Sequence, residues 1–152
     1  MSIAITLHML GVIIWVGGMF FAHMVLRPTL NTCLEPQLRP SLLLGVFNRF
    51  FPWVWGAVIA ILASGFWVLF TVYENAIGFW LGFMAVVGVL MSAIFVFIYT
   101  LPYRRLKTAM KNGDKPKVAM AVTLIRRLIL VNLILGLTVT LVAVLGKYGL
   151  MQ

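Results

Sequence analysis

The side chains best equipped for chemistry in this sequence are its two histidines, and both lie in the first apolar run. His8 and His23 belong to IAITLHMLGVIIWVGGMFFAHMVLRP, which extends from Ile3 to Pro28. An ionisable group inside a membrane span is expensive, so it turns toward other helices and marks a functional site. On one helix the two imidazoles are separated by roughly 22 Å along the axis and by about 60° around it. Both can face a bundle interior. They cannot ligate one metal ion, nor supply both axial ligands of one haem. Either they make two sites or one of them is functional. Trp15 marks the midpoint between them and lines either site, and Gly11, Gly17 and Gly18 let a partner helix come close. This helix is therefore expected to be the one against which the others pack.

Met84 lies in the third apolar run, near the predicted depth of His8. A thioether and an imidazole together suit Cu(I), which prefers soft ligands. The same pair could also be the axial ligands of a haem b between helices. The stronger reading of Met84 is a gap-filler in an apolar core. The alternative for His8 is a neutral imidazole bonded to a carbonyl or hydroxyl, with Thr6 and Tyr148 at its depth. His23 stands near the inner interface, where it can reach water. Asn132, near the middle of the fourth run, is expected to bond to another helix or to line a site. Arg27, Arg49, Arg104, Arg126 and Arg127 fall at similar depths, with Tyr103 and Asn48 among them. Guanidiniums hold phosphate and carboxylate groups bidentately. This ring suits lipid headgroups, haem propionates or an anionic substrate, and equally serves as a topology signal.

The elements that must position these groups follow from composition and pattern. Of 152 residues, 63% are hydrophobic and only 10% charged, with a mean hydropathy of +1.09. That balance predicts an integral membrane protein, with residues 1–152 forming a single membrane domain. Four apolar runs, 3–26, 53–72, 77–101 and 124–146, predict an all-α four-helix bundle. Between the first two spans, Pro28, Pro36 and Pro40 are expected to break any helix. The segment from Ser41 to Phe51 has helical apolar spacing and predicts a short interfacial helix. Trp53 and Trp55 suit an aromatic belt. The short turn from Tyr73 to Ala76 makes the second and third spans antiparallel neighbours. Asn112-Gly113-Asp114 is a turn signal, flanked by helical extensions of the third and fourth spans.

The formal net charge is +9, and of the twelve lysines and arginines only Lys147 lies outside the two long connectors and their flanks. The positive-inside rule places that side in the cytoplasm, with both termini periplasmic in a bacterial inner membrane. The charge is then expected to meet anionic lipids at the cytoplasmic face rather than nucleic acid. Cys33 is the sole cysteine, so neither an internal disulfide nor a cysteine-pair metal motif can form. The spans carry no carboxylate, which excludes a hydrolase acid–base pair and argues against a proton-coupled transporter of the usual kind.

Leu7-His8 followed by Trp15-Val16-Gly17-Gly18-Met19-Phe20-Phe21 resembles the copper resistance protein D (CopD) family. So do Leu26-Arg27-Pro28, the Arg49-Phe50-Phe51-Pro52-Trp53 opening of the second span, Pro102-Tyr103-Arg104-Arg105, and Arg126-Arg127. The likeness is to short, stand-alone members. It implies copper transport or resistance in the inner membrane, alongside a periplasmic copper-binding protein. A more distant likeness to small HemJ-type proteins implies haem binding with a redox or haem-biosynthesis role. Gly11 stands where that family is expected to carry an arginine, so its oxidase chemistry is not implied here. A cofactor-free accessory membrane subunit is the third reading, and small residues on outward faces would allow a homodimer.

Overall fold

The computed structural model describes residues 2–72 and 79–147. Among them the elements are α1 (Ser2–Phe21), a π-helical turn (Ala22–Leu26), α2 (Arg27–Cys33), α3 (Arg39–Val72), α4 (Phe79–Thr100), α5 (Pro102–Lys111) and α6 (Lys115–Lys147). Four stretches are long and apolar enough to cross a bilayer: Ile3–Cys33, Arg39–Thr71, Leu81–Lys111 and Lys115–Gly146. The expected all-α, four-span architecture is the one observed. α1 and α4 each neighbour α3 and α6, so they stand diagonally in a ring of four. The turn expected at Tyr73 to Ala76 lies outside the described residues.

The four stretches contain 31 to 33 residues each, about 46–50 Å of helix at 1.5 Å per residue. A bilayer core is about 30 Å thick. The surplus collects at one end, where α2, the start of α3, α5 and the start of α6 carry the arginines and lysines. The protein is thus a membrane bundle with a basic helical extension.

That extension corrects the reading of the first connector. Pro36 lies in the break between α2 and α3, residues 34–38, but Pro28 and Pro40 do not break the helices. Pro28 falls in the first turn of α2, directly after the π-helical turn. There the Arg27 N–H donates to the Ala22 carbonyl, five residues back. This widened spacing makes room for a ring that would press on the preceding turn of an α-helix. Pro40 lies in the first turn of α3, where its missing N–H has no helical partner to lose. The Arg39 guanidinium fastens the junction, donating to the Leu34 carbonyl at 2.9 Å and the Asn31 carbonyl at 2.9 Å.

The segment from Ser41 to Phe51 is helical, but it is not a separate interfacial element. It continues through Pro52 into the span as one 34-residue helix. Phe47 and Phe51 are buried and stack with ring centroids 5.2 Å apart. The apolar face therefore meets the bundle rather than the bilayer surface. At the other connector the structure follows expectation. α4 bends at Leu101 into α5, and Gly113, with φ of 65°, makes the turn into α6.

The core is concentrated toward the basic half. Trp15 meets Phe95 edge-on at 6.1 Å, and Trp55 meets Phe95 at 5.3 Å and Tyr99 at 5.6 Å. Tyr103 meets Phe51 at 4.8 Å. Such edge-to-face pairs add packing energy beyond the area they bury. Tyr103 also donates its hydroxyl proton to Asn48 Oδ1. The expectation that the first helix is the packing hub is not met. Its neighbours are α3 and α6, and α4 stands diagonally across from it. Its exposed Leu7, Leu10, Ile13 and Phe21 are suited to lipid contact.

Candidate functional site

The two histidines occupy unlike places. His8 is on the seam between α1 and α3. The register of that seam is antiparallel and set by glycines. A Cβ at Gly18 would overlap the Phe50 ring, and one at Gly11 would stand 2.8 Å from Ile61 Cγ1. One turn further along, His8 meets Ser64, with Nδ1 3.0 Å from Oγ. Gly65 gives the ring its room, since a Cβ there would already touch Cε1 at 3.4 Å.

The hydrogen bonds fix the tautomer of His8. Ser64 has one hydroxyl proton, and its Oγ lies 2.5 Å from the Ala60 carbonyl oxygen. A carbonyl can only accept, so the hydroxyl donates there. Oγ must then accept from His8, which places the imidazole proton on Nδ1 and the lone pair on Nε2. Orientation of one ring nitrogen by a hydrogen bond is how proteins prepare the other as a ligand. The expected partners were Thr6 and Tyr148. Ser64 is a hydroxyl on a neighbouring helix, the kind of partner expected, and Tyr148 lies outside the described residues.

Met84 is half-buried on α4, diagonal to α1, whereas the His8 ring is turned onto α3. Trp15 is 3% exposed and packs in the core. Asn132 is fully buried and donates from Nδ2 to the Met91 carbonyl of α4 at 3.2 Å. Its Oδ1 has no partner among the described residues.

His23 lies at the basic end, inside the π-helical turn, and lines a cavity of about 660 Å³. The walls come from the π-helical turn and α2, the start of α3, the end of α5 and the start of α6. The five expected arginines are divided by the fold. Arg27 and Arg126 line the cavity and are half-buried. Arg49, Arg104 and Arg127 are exposed and lie outside its walls. Arg39 and Lys115 line it as well, and sequence reasoning did not single them out. The place of Arg39 depends on α3 starting at that residue, which the proline pattern concealed, whereas Lys115 opens the helical extension expected after the Asn112-Gly113-Asp114 turn.

Beyond the cavity, Asp114 Oδ1 accepts the Lys117 backbone N–H at 3.2 Å, and its Oδ2 pairs with Lys117 Nζ at 2.7 Å. The Lys117 side-chain hydrogen bond holds the Asp114 carboxyl below the ordinary carboxylate range. Among the described residues, no three or more of His, Cys, Asp and Glu cluster closely enough to hold a metal ion.

The class these observations define is a multi-pass helical membrane protein. Residues 44–145 match the family described as copper resistance protein D. The match covers more than half of the chain, and the chain belongs to that family. No curated protein and no solved structure matches it. The matched segment runs from α3 into α6, so it includes Ser64 but neither histidine.

Proposed function

We propose that the protein handles copper as cargo in a bacterial inner membrane, with His8 Nε2 as a ligand within the span. The observation carrying this reading is the relay from His8 Nδ1 through Ser64 Oγ to the Ala60 carbonyl. It leaves a lone pair on a nitrogen held inside the membrane-spanning bundle. Imidazole is a good copper ligand. A single imidazole, with no cluster of His, Cys, Asp or Glu around it among the described residues, suits a metal in transit, which must bind and leave. Membership of the copper resistance protein D family supports copper as the cargo.

The charge asymmetry supports a cytoplasmic basic end and periplasmic termini. His8 is then toward the periplasmic half, where a copper-binding protein would deliver or collect the ion.

The test is copper content after Cu(I) loading of purified full-length protein, wild type beside His8→Ala. Wild type is expected to retain copper and the variant to lose most of it. Equal, near-zero copper in both overturns the reading. A Soret band in the same preparations would favour haem b. Copper tolerance unchanged by substitution of either histidine would favour a cofactor-free accessory subunit.

A further inference from the structure

The cavity at the basic end has a charge arrangement that the copper reading does not use. Arg27, Arg39, Lys115 and Arg126 line it with His23, and no carboxylate is among the lining residues. The chain has three acidic residues. Asp114 is engaged by Lys117, Glu35 is exposed outside the cavity walls, and Glu74 lies outside the described residues. Arg39 spends its guanidinium on Asn31 and Leu34. Arg27 and Arg126 differ from it. Both are half-buried, both act electrostatically on His23, and neither guanidinium makes a hydrogen bond or ion pair among the described residues. Two partly desolvated like charges without an anion repel each other, and an anion between them relieves that repulsion.

Asn31, Gln37 and Thr123 add polar groups to the lining, and an apolar stretch of wall comes from Leu26, Leu30, Leu43, Phe47, Val122 and Ile129. A volume of about 660 Å³ falls within the range of small-molecule sites and exceeds what a lone inorganic anion needs. The site lies where the helices leave the apolar span, the level at which lipid phosphates stand. Its π-helical turn is a kind of distortion found often at functional sites.

We propose that this cavity binds the phosphate of an amphipathic anion, with Arg27 and Arg126 clamping the phosphate oxygens, His23 donating a further hydrogen bond, and the apolar walls taking the hydrophobic body. An anionic phospholipid and a free phosphorylated solute share this chemistry. The inference does not rest on the copper reading.

The experiment uses full-length protein in an uncharged detergent, stripped of lipid. Phosphatidylglycerol, phosphatidylcholine and oleate are titrated against it, with native mass spectrometry counting adducts and a thermal melt reporting stabilisation. Wild type is expected to hold one phosphatidylglycerol in preference to the other two. Arg27→Gln/Arg126→Gln is expected to weaken it at least tenfold, whereas Arg105→Gln/Lys111→Gln, outside the cavity, leaves it unchanged. Displacement by millimolar inorganic phosphate identifies the free phosphorylated solute as the source; resistance to it identifies the lipid. Should the arginine variant fail to fold, Ala119→Trp, on an exposed position of the wall, plugs the cavity with its charges intact and is expected to abolish the adduct. Undiminished phosphatidylglycerol binding in the arginine or plugged variant overturns the proposal. So does a preference for oleate, or equal binding of both phospholipids.

Discussion

His8 and His23 are the same side chain on the same continuous helical stretch, and the fold gives them opposite surroundings. His8 sits in a narrow seam closed by glycines, with one neutral hydrogen-bond relay and no charged group in that relay. His23 sits in a roomy cavity among guanidiniums. Desolvation without counter-charge leaves a neutral lone pair suited to a soft cation. A wall of unpaired arginines repels a cation and attracts an anion. The comparison teaches that a histidine in a span has no fixed meaning. Its meaning comes from what the neighbouring helices present at its level.

The sharpest way to break the comparison is to open the seam. Gly18→Leu drives a side chain into Phe50 and is expected to cost about 1–3 kcal/mol or more, lowering the yield of monodisperse protein. Gly17, its neighbour, has nothing within 4 Å of its Cβ position, so Gly17→Leu should behave as wild type. Equal yields and melting temperatures for the two variants would refute the seam as described.

A smaller effect separates the two ends. Ser64→Ala removes the acceptor that orients His8. Copper affinity is expected to fall about tenfold and stability by about 1 kcal/mol. Phosphatidylglycerol binding at the far end should not change. Copper affinity unaltered in a folded Ser64→Ala protein would show that the relay does not prepare the ligand.

Asn132 gives a smaller expectation. One amide atom is bonded and the other is not, so Asn132→Leu should shift stability by less than about 1 kcal/mol in either direction. A thermal melt reads this. Collapse of the fold would mean that the orphaned oxygen has an essential partner.

The smallest effect is at Asp114, fully outside the seam and the cavity. Its carboxyl is held low by Lys117, so its contribution is present above the ordinary carboxylate range. It is lost as pH falls through the depressed folded value. Melting temperature followed to low pH should fall slightly less steeply in Asp114→Asn than in wild type. Identical profiles would show that this pair carries nothing.

Much of this fold was legible in the residues. Four apolar runs, few charges and a tight Asn112-Gly113-Asp114 turn lead directly to four helices. The connector from Arg27 to Pro52 is less legible because, of its first three prolines, only Pro36 lies in a break between helices. Pro28 and Pro40 instead fall where a helix begins, and the π-helical turn absorbs the first of them. The cavity depends on that continuity, so it was hidden along with it. At the site, His8 was visible by type, while Ser64 and Gly65 looked like ordinary small residues of a span. The Leu7-His8 and Trp15 to Phe21 motifs that suggested the family lie before residue 44, where the family match begins.

The sequence by itself determined that this is a membrane protein of four helices with one basic end, because crossing a bilayer demands long apolar runs and charge cannot remain among them. It could not determine which face of each helix turns inward. Lipid and protein core are equally apolar, so hydropathy carries no sidedness within a span. Only the packed structure decided that, through glycines that admit Phe50 and Ile61, a serine whose single proton is already committed, and helices that outrun the bilayer to enclose a basic cavity.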